Sequence, residues 1–88
     1  MLTKIKKEIL SLKTKDHLKV LLQTENEISS NDNLLKLGLD SKRAAKLVHT
    51  LELEYLILFT DEELVLNNFS TILNIVNMLN TKLEAGEI

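Results

Sequence analysis

The chain has 88 residues with a formal net charge of −2 at pH 7, and it contains neither cysteine nor proline. This length predicts one domain, residues 1–88, with a small core, and the missing cysteines exclude disulfides and thiolate metal sites. The small net charge argues against a nucleic-acid binder, and no apolar run is long enough to span a bilayer.

The first predicted element is an amphipathic helix over about residues 3–23. Ile5, Ile9 and Leu12 fall on one face at helical spacing, and further leucines between residues 18 and 22 continue the apolar stripe. An interruption near residues 13–16 is left open. Residues 1–8 alternate charged with apolar positions and lack the apolar core of a signal peptide, so we expect a cytosolic protein.

A polar loop and a second helix follow. Residues 24–33 have a loop composition, in which Ile28 is the one expected anchor to the core. The second helix begins near Ser41, and either Asp40 or Ser41 is expected to cap its unpaired amides. Its apolar face is predicted to consist of Ala44, Ala45, Leu47, Val48, Leu51, Tyr55 and Leu58.

Two more helices complete the prediction. Residues 60–63 have the pattern of a capping box, in which Thr60 caps the Glu63 amide and Glu63 reaches back to the Thr60 amide. The box opens a short helix of about two turns that ends before Asn67. Ser70 or Thr71 caps the last helix, whose buried residues are expected to be Ile72, Ile75, Val76, Leu79 and Leu83. Residues 55–59 are rich in strand formers, but this run has no partner. The fold class is therefore all-α, a small four-helix bundle of three longer helices and one short helix, with a long first loop.

The most informative segment is residues 32–41, which read D-N-L-L-K-L-G-L-D-S. This segment resembles the attachment site of the acyl and peptidyl carrier proteins, whose pattern is roughly D-x-[LF]-[LF]-x-L-G-x-[DH]-S. The order of helices from about Leu18 to Leu83 also resembles that family. The resemblance implies a non-enzymatic carrier that bears 4′-phosphopantetheine covalently on Ser41, with Gly38 allowing a tight turn and Asp40 orienting the attachment loop.

The second helix departs from the usual carrier pattern. Lys42 stands where carriers usually have leucine, and the exposed side of the helix carries Arg43, Lys46 and His49 where many carriers are acidic. We therefore predict that these four residues dock unusual partners, which favours a specialised biosynthetic pathway over housekeeping fatty-acid synthesis. The resemblance implies as partners a phosphopantetheinyl transferase, an acyl- or aminoacyl-loading ligase and downstream acyl-processing enzymes. We expect a monomer that binds neither nucleic acid nor a membrane.

Several alternatives compete with this interpretation. Ser41 alone is also compatible with a plain helix cap, and the chain is then an unmodified helical module that binds an acidic partner through the basic face of its second helix. A helix-turn-helix DNA binder lacks the required positive charge. His17 and His49 lie in different predicted helices without a catalytic arrangement, so they are expected at the surface or at an interface. Residues 61–63 are better explained as a solvated helix start than as a cation site, so no metal is expected.

Overall fold

The structure, a computed structural model, describes residues 2–85, with side chains described for residues 7–84. Within this range the chain forms three α-helices and one 3₁₀ turn, and it forms no strand. The elements are α1 (Leu2–Leu21), α2 (Ser41–Tyr55), the 3₁₀ turn (Leu66–Phe69) and α3 (Ile72–Ala85). The all-α prediction is confirmed, but the expected four-helix bundle is reduced to three α-helices because the short fourth helix is only a 3₁₀ turn.

Helix α1 is continuous, with no interruption near residues 13–16, and it ends at Leu21. Its last turn closes with Thr24 N–H donating to the Lys19 carbonyl and Gln23 N–H donating to the Val20 carbonyl. Gln23 there adopts a positive φ of 54°. These two bonds form the common helix-ending arrangement that satisfies the last carbonyls.

The buried face of α1 agrees with the prediction at its C-terminal end, where Leu18 is buried and Leu21 and Leu22 are half-buried, but not earlier in the helix; Ile5 lies outside the residues whose side chains are described. Leu10, Thr14 and Leu18 are buried, whereas Ile9 is 47% and Leu12 is 62% exposed. The buried positions follow one another at intervals of four residues, as one helical face requires. Because Thr14 at the centre of this face is polar, a count of apolar residues alone does not reveal the four-residue spacing of the buried positions.

Helix α2 begins at Ser41 and packs its inner face into the core through Ala44, Leu47, Val48 and Leu51. Ala45 is exposed, and Tyr55 is half-buried at the end of the helix. The expectation that Leu58 belongs to the buried face is wrong, since Leu58 is 79% exposed. The helix ends before this residue because Leu56 adopts the left-handed conformation.

The capping box forms as predicted, but the helix it was expected to open does not. Thr60 N–H donates to Glu63 Oε1 at 2.8 Å, and Glu63 N–H donates to Thr60 Oγ1 at 3.3 Å. The chain then makes a single turn and becomes extended at Val65, with φ −108° and ψ 129°. The 3₁₀ turn follows at Leu66–Phe69. It contains the Asn67-Asn68 pair that was expected to lie beyond a helix, and the side chain of Asn68 donates to the Glu63 carbonyl.

Helix α3 is the main partner of α1. Thr71 caps it, since Thr71 Oγ1 accepts from Asn74 N–H at 3.1 Å, and this decides between the two predicted caps. The predicted face is buried at Ile72, Ile75, Val76 and Leu79, with Leu83 half-buried.

The long first loop is tied to the start of α3 by backbone hydrogen bonds. Leu34 N–H donates to the Ser70 carbonyl at 2.7 Å, and Leu73 N–H donates to the Ser30 carbonyl at 3.1 Å. Ile28 is 2% exposed, so the predicted anchor of the loop is confirmed. These contacts hold the loop that leads into α2 against the core, and thereby fix the position of Ser41.

Candidate functional site

The loop before Ser41 is shaped by side-chain hydrogen bonds and one glycine. Asn33 Oδ1 accepts from the amides of Leu35 and Lys36 at 3.0 and 3.3 Å. Leu34 and Leu39 are buried on either side of the turn, and Leu39 N–H donates to the Leu34 carbonyl. Gly38 has φ +113°, which residues with a Cβ atom rarely adopt. The tight turn predicted at Gly38 is therefore present, and it delivers the chain directly to the start of α2.

Asp40 caps α2. Its Oδ1 accepts from Arg43 N–H at 2.8 Å, and its Oδ2 accepts from Arg43 Nη1 at 3.1 Å. The Arg43 amide, with the guanidinium beside it, holds the pKa of the Asp40 carboxyl below its ordinary value. Because Asp40 supplies the cap, the helix does not need the side chain of Ser41 for this purpose.

Ser41 is the first residue of α2, and its side chain is exposed. Its hydroxyl makes no hydrogen bond to any other residue whose side chain the structure describes. The structure therefore does not support the alternative in which Ser41 only caps α2, since Asp40 is the residue that caps this helix. A hydroxyl in this position is open to a reagent that approaches from solvent.

Ser41 lies at an apolar cleft of about 220 Å³ between α2 and the segment that follows residue 63. Its lining residues are Ser41, Ala44, Ala45, Val48, Leu64, Leu66 and Phe69. Ser41 is the only lining residue with a polar side chain. The sequence did not identify Leu64 and Leu66 as residues of the site. Both lie shortly after the capping box, but only the tertiary structure brings them close to Ser41.

The outer face of α2 is positively charged. Lys42, Lys46 and His49 are exposed, and neither lysine makes an ion pair within residues 7–84. Arg43, the fourth predicted docking residue, is exposed but is paired with Asp40. The structure thus places all four predicted residues on α2, with the unpaired charge concentrated on the two lysines.

The acidic residues of α2 are engaged by neighbouring segments. Glu54 contacts His17 Nε2 at 2.6 Å and Lys13 Nζ at 3.6 Å, and Glu52 accepts from Phe59 N–H at 3.0 Å. Lys13 offsets the charge of Glu54, whereas the neutral Phe59 amide holds the Glu52 carboxylate in place without removing its charge.

The two histidines both line an open groove between α1 and α2. His17 is half-buried and paired with Glu54 across the two helices, in agreement with the expectation of a surface or interface position. His49 is exposed on α2. No group of three or more His, Asp or Glu residues in the described part of the chain has an arrangement able to hold a metal ion.

Comparison with known families adds an independent observation. A family model described as "Phosphopantetheine attachment site" matches residues 14–79 of this chain. The match covers 66 of the 88 residues. The chain belongs to the phosphopantetheine attachment site family. No curated protein and no solved structure gives a significant match.

Family membership confirms the predicted resemblance to carrier proteins. It identifies the chain as a non-catalytic carrier domain whose prosthetic group is 4′-phosphopantetheine. The site described above fits that group, because an exposed hydroxyl at a helix start stands beside an apolar cleft and the cap is supplied by another residue.

Among residues 2–85, no helix combines the length and the apolar character needed to cross a membrane.

Proposed function

We propose that this protein is an acyl carrier that holds a thioester-linked acyl or aminoacyl group on a 4′-phosphopantetheine arm attached to Ser41. The observation that carries the proposal is the exposed Ser41 hydroxyl, freed from capping by Asp40, within a match to the attachment-site family. When bound, the arm supplies the thiol that forms thioesters. The chain itself positions that arm and presents the surface that partners recognise.

The start of α2 suits the phosphodiester that links the arm to the serine. Helix amides and the positive end of the helix dipole favour a negative group at this position. The Arg43 amide donates its hydrogen bond to the Asp40 carboxylate, whereas the amides of Ser41 and Lys42 have no acceptor among the described residues. Lys42 adds a positive charge next to the attachment point and stands where carriers usually have leucine.

We further propose that Lys42, Arg43, Lys46 and His49 address the carrier to enzymes with acidic docking surfaces. Surface charges of this kind govern association rate and partner choice more than final affinity. Carriers with an acidic second helix suit basic partners, so the reversed charge favours a specialised biosynthetic pathway with its own ligase and acyl-processing enzymes. Exchanging Lys42 and Lys46 for glutamate is expected to slow the association with such partners, with the largest effect at low salt, where the repulsion is least screened.

The second candidate is an unmodified helical module that uses the same basic face to bind an acidic protein. The two candidates differ in one observable, which is the covalent state of Ser41. We therefore propose incubating the apo-protein with coenzyme A and a broad-specificity phosphopantetheinyl transferase, followed by intact-mass measurement. The carrier gains one phosphopantetheine, and Ser41→Ala gains none.

Ser70→Ala is the matched control for this experiment, because Ser70 is a half-buried serine just before α3. This variant is expected to gain the arm as the wild type does. No gain with several transferases contradicts the carrier proposal and favours the unmodified module. Equal gain by Ser41→Ala contradicts the assignment of the attachment residue.

A further inference from the structure

Lys82, near the end of α3, is largely buried, although lysine is mostly a surface residue. Its side chain is 15% exposed, and its Nζ lies 2.7 Å from the Leu58 carbonyl oxygen and 2.6 Å from Glu63 Oε1. The same atom lies 5.2 Å from the centre of the Phe59 ring. All three partners belong to the segment between α2 and the 3₁₀ turn. Lys82 therefore fastens that segment to α3.

The residues that follow Glu63 form one side of the cleft at Ser41. Leu64 and Leu66 line the cleft across from α2, so we call residues 58–66 the wall segment. Leu64 N–H donates to the Thr60 carbonyl at 3.1 Å, which ties Leu64 to the turn at residues 60–63. A displacement of that turn therefore moves Leu64 and changes the width of the cleft.

The wall segment has few other polar attachments to the helices. Phe59 N–H donates to Glu52 on α2, which fixes the beginning of the segment. Asn68 donates to the Glu63 carbonyl, but Asn68 lies in the 3₁₀ turn that continues the same stretch of chain. Among residues 7–84, Lys82 is the one α-helical residue that makes a hydrogen bond or ion pair with residues 60–63. The position of this turn thus depends on Lys82.

We propose that Lys82 is a positioning residue for the Ser41 site, which holds the wall segment and thereby determines how firmly the cleft retains an apolar group carried on the arm. This inference rests on the proposed function of Ser41. The cleft lies at the attachment point, and its lining is apolar except for Ser41 itself. An apolar acyl chain leaves water by entering the cleft, and its contacts there require both sides. Loss of Lys82 releases one side.

The test compares how fast neutral hydroxylamine cleaves an octanoyl thioester on wild type and on Lys82→Met. A broad-specificity phosphopantetheinyl transferase installs the octanoyl arm from octanoyl-coenzyme A. Hydroxylamine reaches the thioester freely when the octanoyl chain is outside the cleft, so the cleavage rate reports how much of the chain is retained. We expect this rate to rise at least about fourfold in Lys82→Met, which corresponds to one methylene group returned to water at about 0.8 kcal/mol.

Three controls separate positioning from a general loss of stability. An acetyl thioester has little apolar surface to bury, so its cleavage rate is expected to be equal on both proteins. Ile28→Val truncates a core residue outside the cleft at a comparable cost in stability, and it is expected to keep the wild-type octanoyl rate. Glu63→Gln removes the charge that Lys82 binds but leaves the Leu58 contact, so its octanoyl rate is expected to fall between those of wild type and Lys82→Met.

Equal octanoyl cleavage rates for wild type and Lys82→Met overturn the positioning role and leave the assignment of Ser41 intact. A wild-type rate equal to that of free octanoyl-coenzyme A, or an equal rise in Ile28→Val, overturns it too. If circular dichroism shows that Lys82→Met does not fold, a raised rate in Glu63→Gln supports the positioning role and an unchanged rate overturns it. Failure of the wild type to gain mass overturns the proposed function, and the positioning role with it.

Discussion

Replacing Leu56 with glycine is expected to stabilise the protein. Leu56 N–H and Ile57 N–H both donate to the Glu52 carbonyl, and the left-handed conformation of Leu56 turns the Ile57 amide back to that carbonyl as the chain leaves α2. Glycine adopts that conformation without a Cβ clash. The leucine side chain is 88% exposed, so its removal sacrifices little buried apolar area.

The size of this effect follows from two opposing terms. The left-handed conformation costs an ordinary residue about 1–2 kcal/mol, while the greater freedom of glycine in the unfolded chain costs about 0.5–1 kcal/mol. The middle values of the two ranges, about 1.5 and about 0.75 kcal/mol, leave a gain of about 0.75 kcal/mol in the free energy of unfolding. For a domain of this size, Tm rises by about 4–8 °C per kcal/mol, so we expect an increase of about 3–6 °C.

Circular dichroism melting of Leu56→Gly and Leu53→Gly provides the assay and its control. Leu53 lies three residues earlier and is also exposed, but it is inside α2, where glycine costs about 1 kcal/mol. The same substitution is therefore expected to raise Tm at one position and to lower it at the other. A decrease in Tm for both variants refutes the reasoning.

Three further predictions concern α3 and two titrating groups. Lys82→Met removes the hydrogen bond to the Leu58 carbonyl (2.7 Å) and the contact with Glu63 (2.6 Å), and urea denaturation should show a loss of about 1–2 kcal/mol. Hydrogen bonds from Lys82 and the Thr60 amide lower the pKa of Glu63. The resulting stability is present above the ordinary value of 4.5 and is lost as pH falls through the lower folded pKa, so denaturation across this range should show a shallower acid decline for Glu63→Gln. Burial raises the pKa of Tyr55 from 10.0 to about 12, so the free energy of unfolding falls as pH rises between these values. A titration followed by tyrosinate absorbance measures the pKa of this single tyrosine. An apparent pKa near 10 in the folded protein would contradict the prediction.

The attachment loop and α2 were the most predictable parts of the chain. Their determinants are local: Gly38 makes a turn, Asp40 caps the next helix, and the apolar spacing from Ala44 to Leu51 defines one face. The Thr60–Glu63 capping box is local too, and both of its hydrogen bonds form. Each of these features depends on residues within a few positions of one another.

The features that sequence reasoning missed depend on tertiary contacts. The prediction of a short helix was wrong: the chain becomes extended at Val65, and in the 3₁₀ turn that follows Phe69 packs into the core and Asn68 donates to the Glu63 carbonyl. The buried face of α1 was misplaced at Ile9 and Leu12 because the polar Thr14 occupies its centre. The cleft at Ser41 was missed because Leu64 and Leu66 meet α2 only after folding.

The charge pattern of α2 shows the same limit. Its lysines are visible in the sequence, but the engagement of Glu52 by the Phe59 amide and of Glu54 by His17 is not. Only the folded structure shows that both carboxylates contact other segments, whereas Lys42 and Lys46 make no ion pair within residues 7–84. Leu56 was likewise assigned no role, because its conformation and exposure are properties of the folded chain.

The central claim is that Ser41 carries the phosphopantetheine arm. The most direct measurement is tandem mass spectrometry on a digest of the protein after reaction with coenzyme A and the transferase. The account predicts the arm on the peptide that contains Asp40 and Ser41, at Ser41, and on no other residue. An arm located on another serine, such as Ser29, Ser30 or Ser70, or the absence of any arm after saturating treatment, would contradict it.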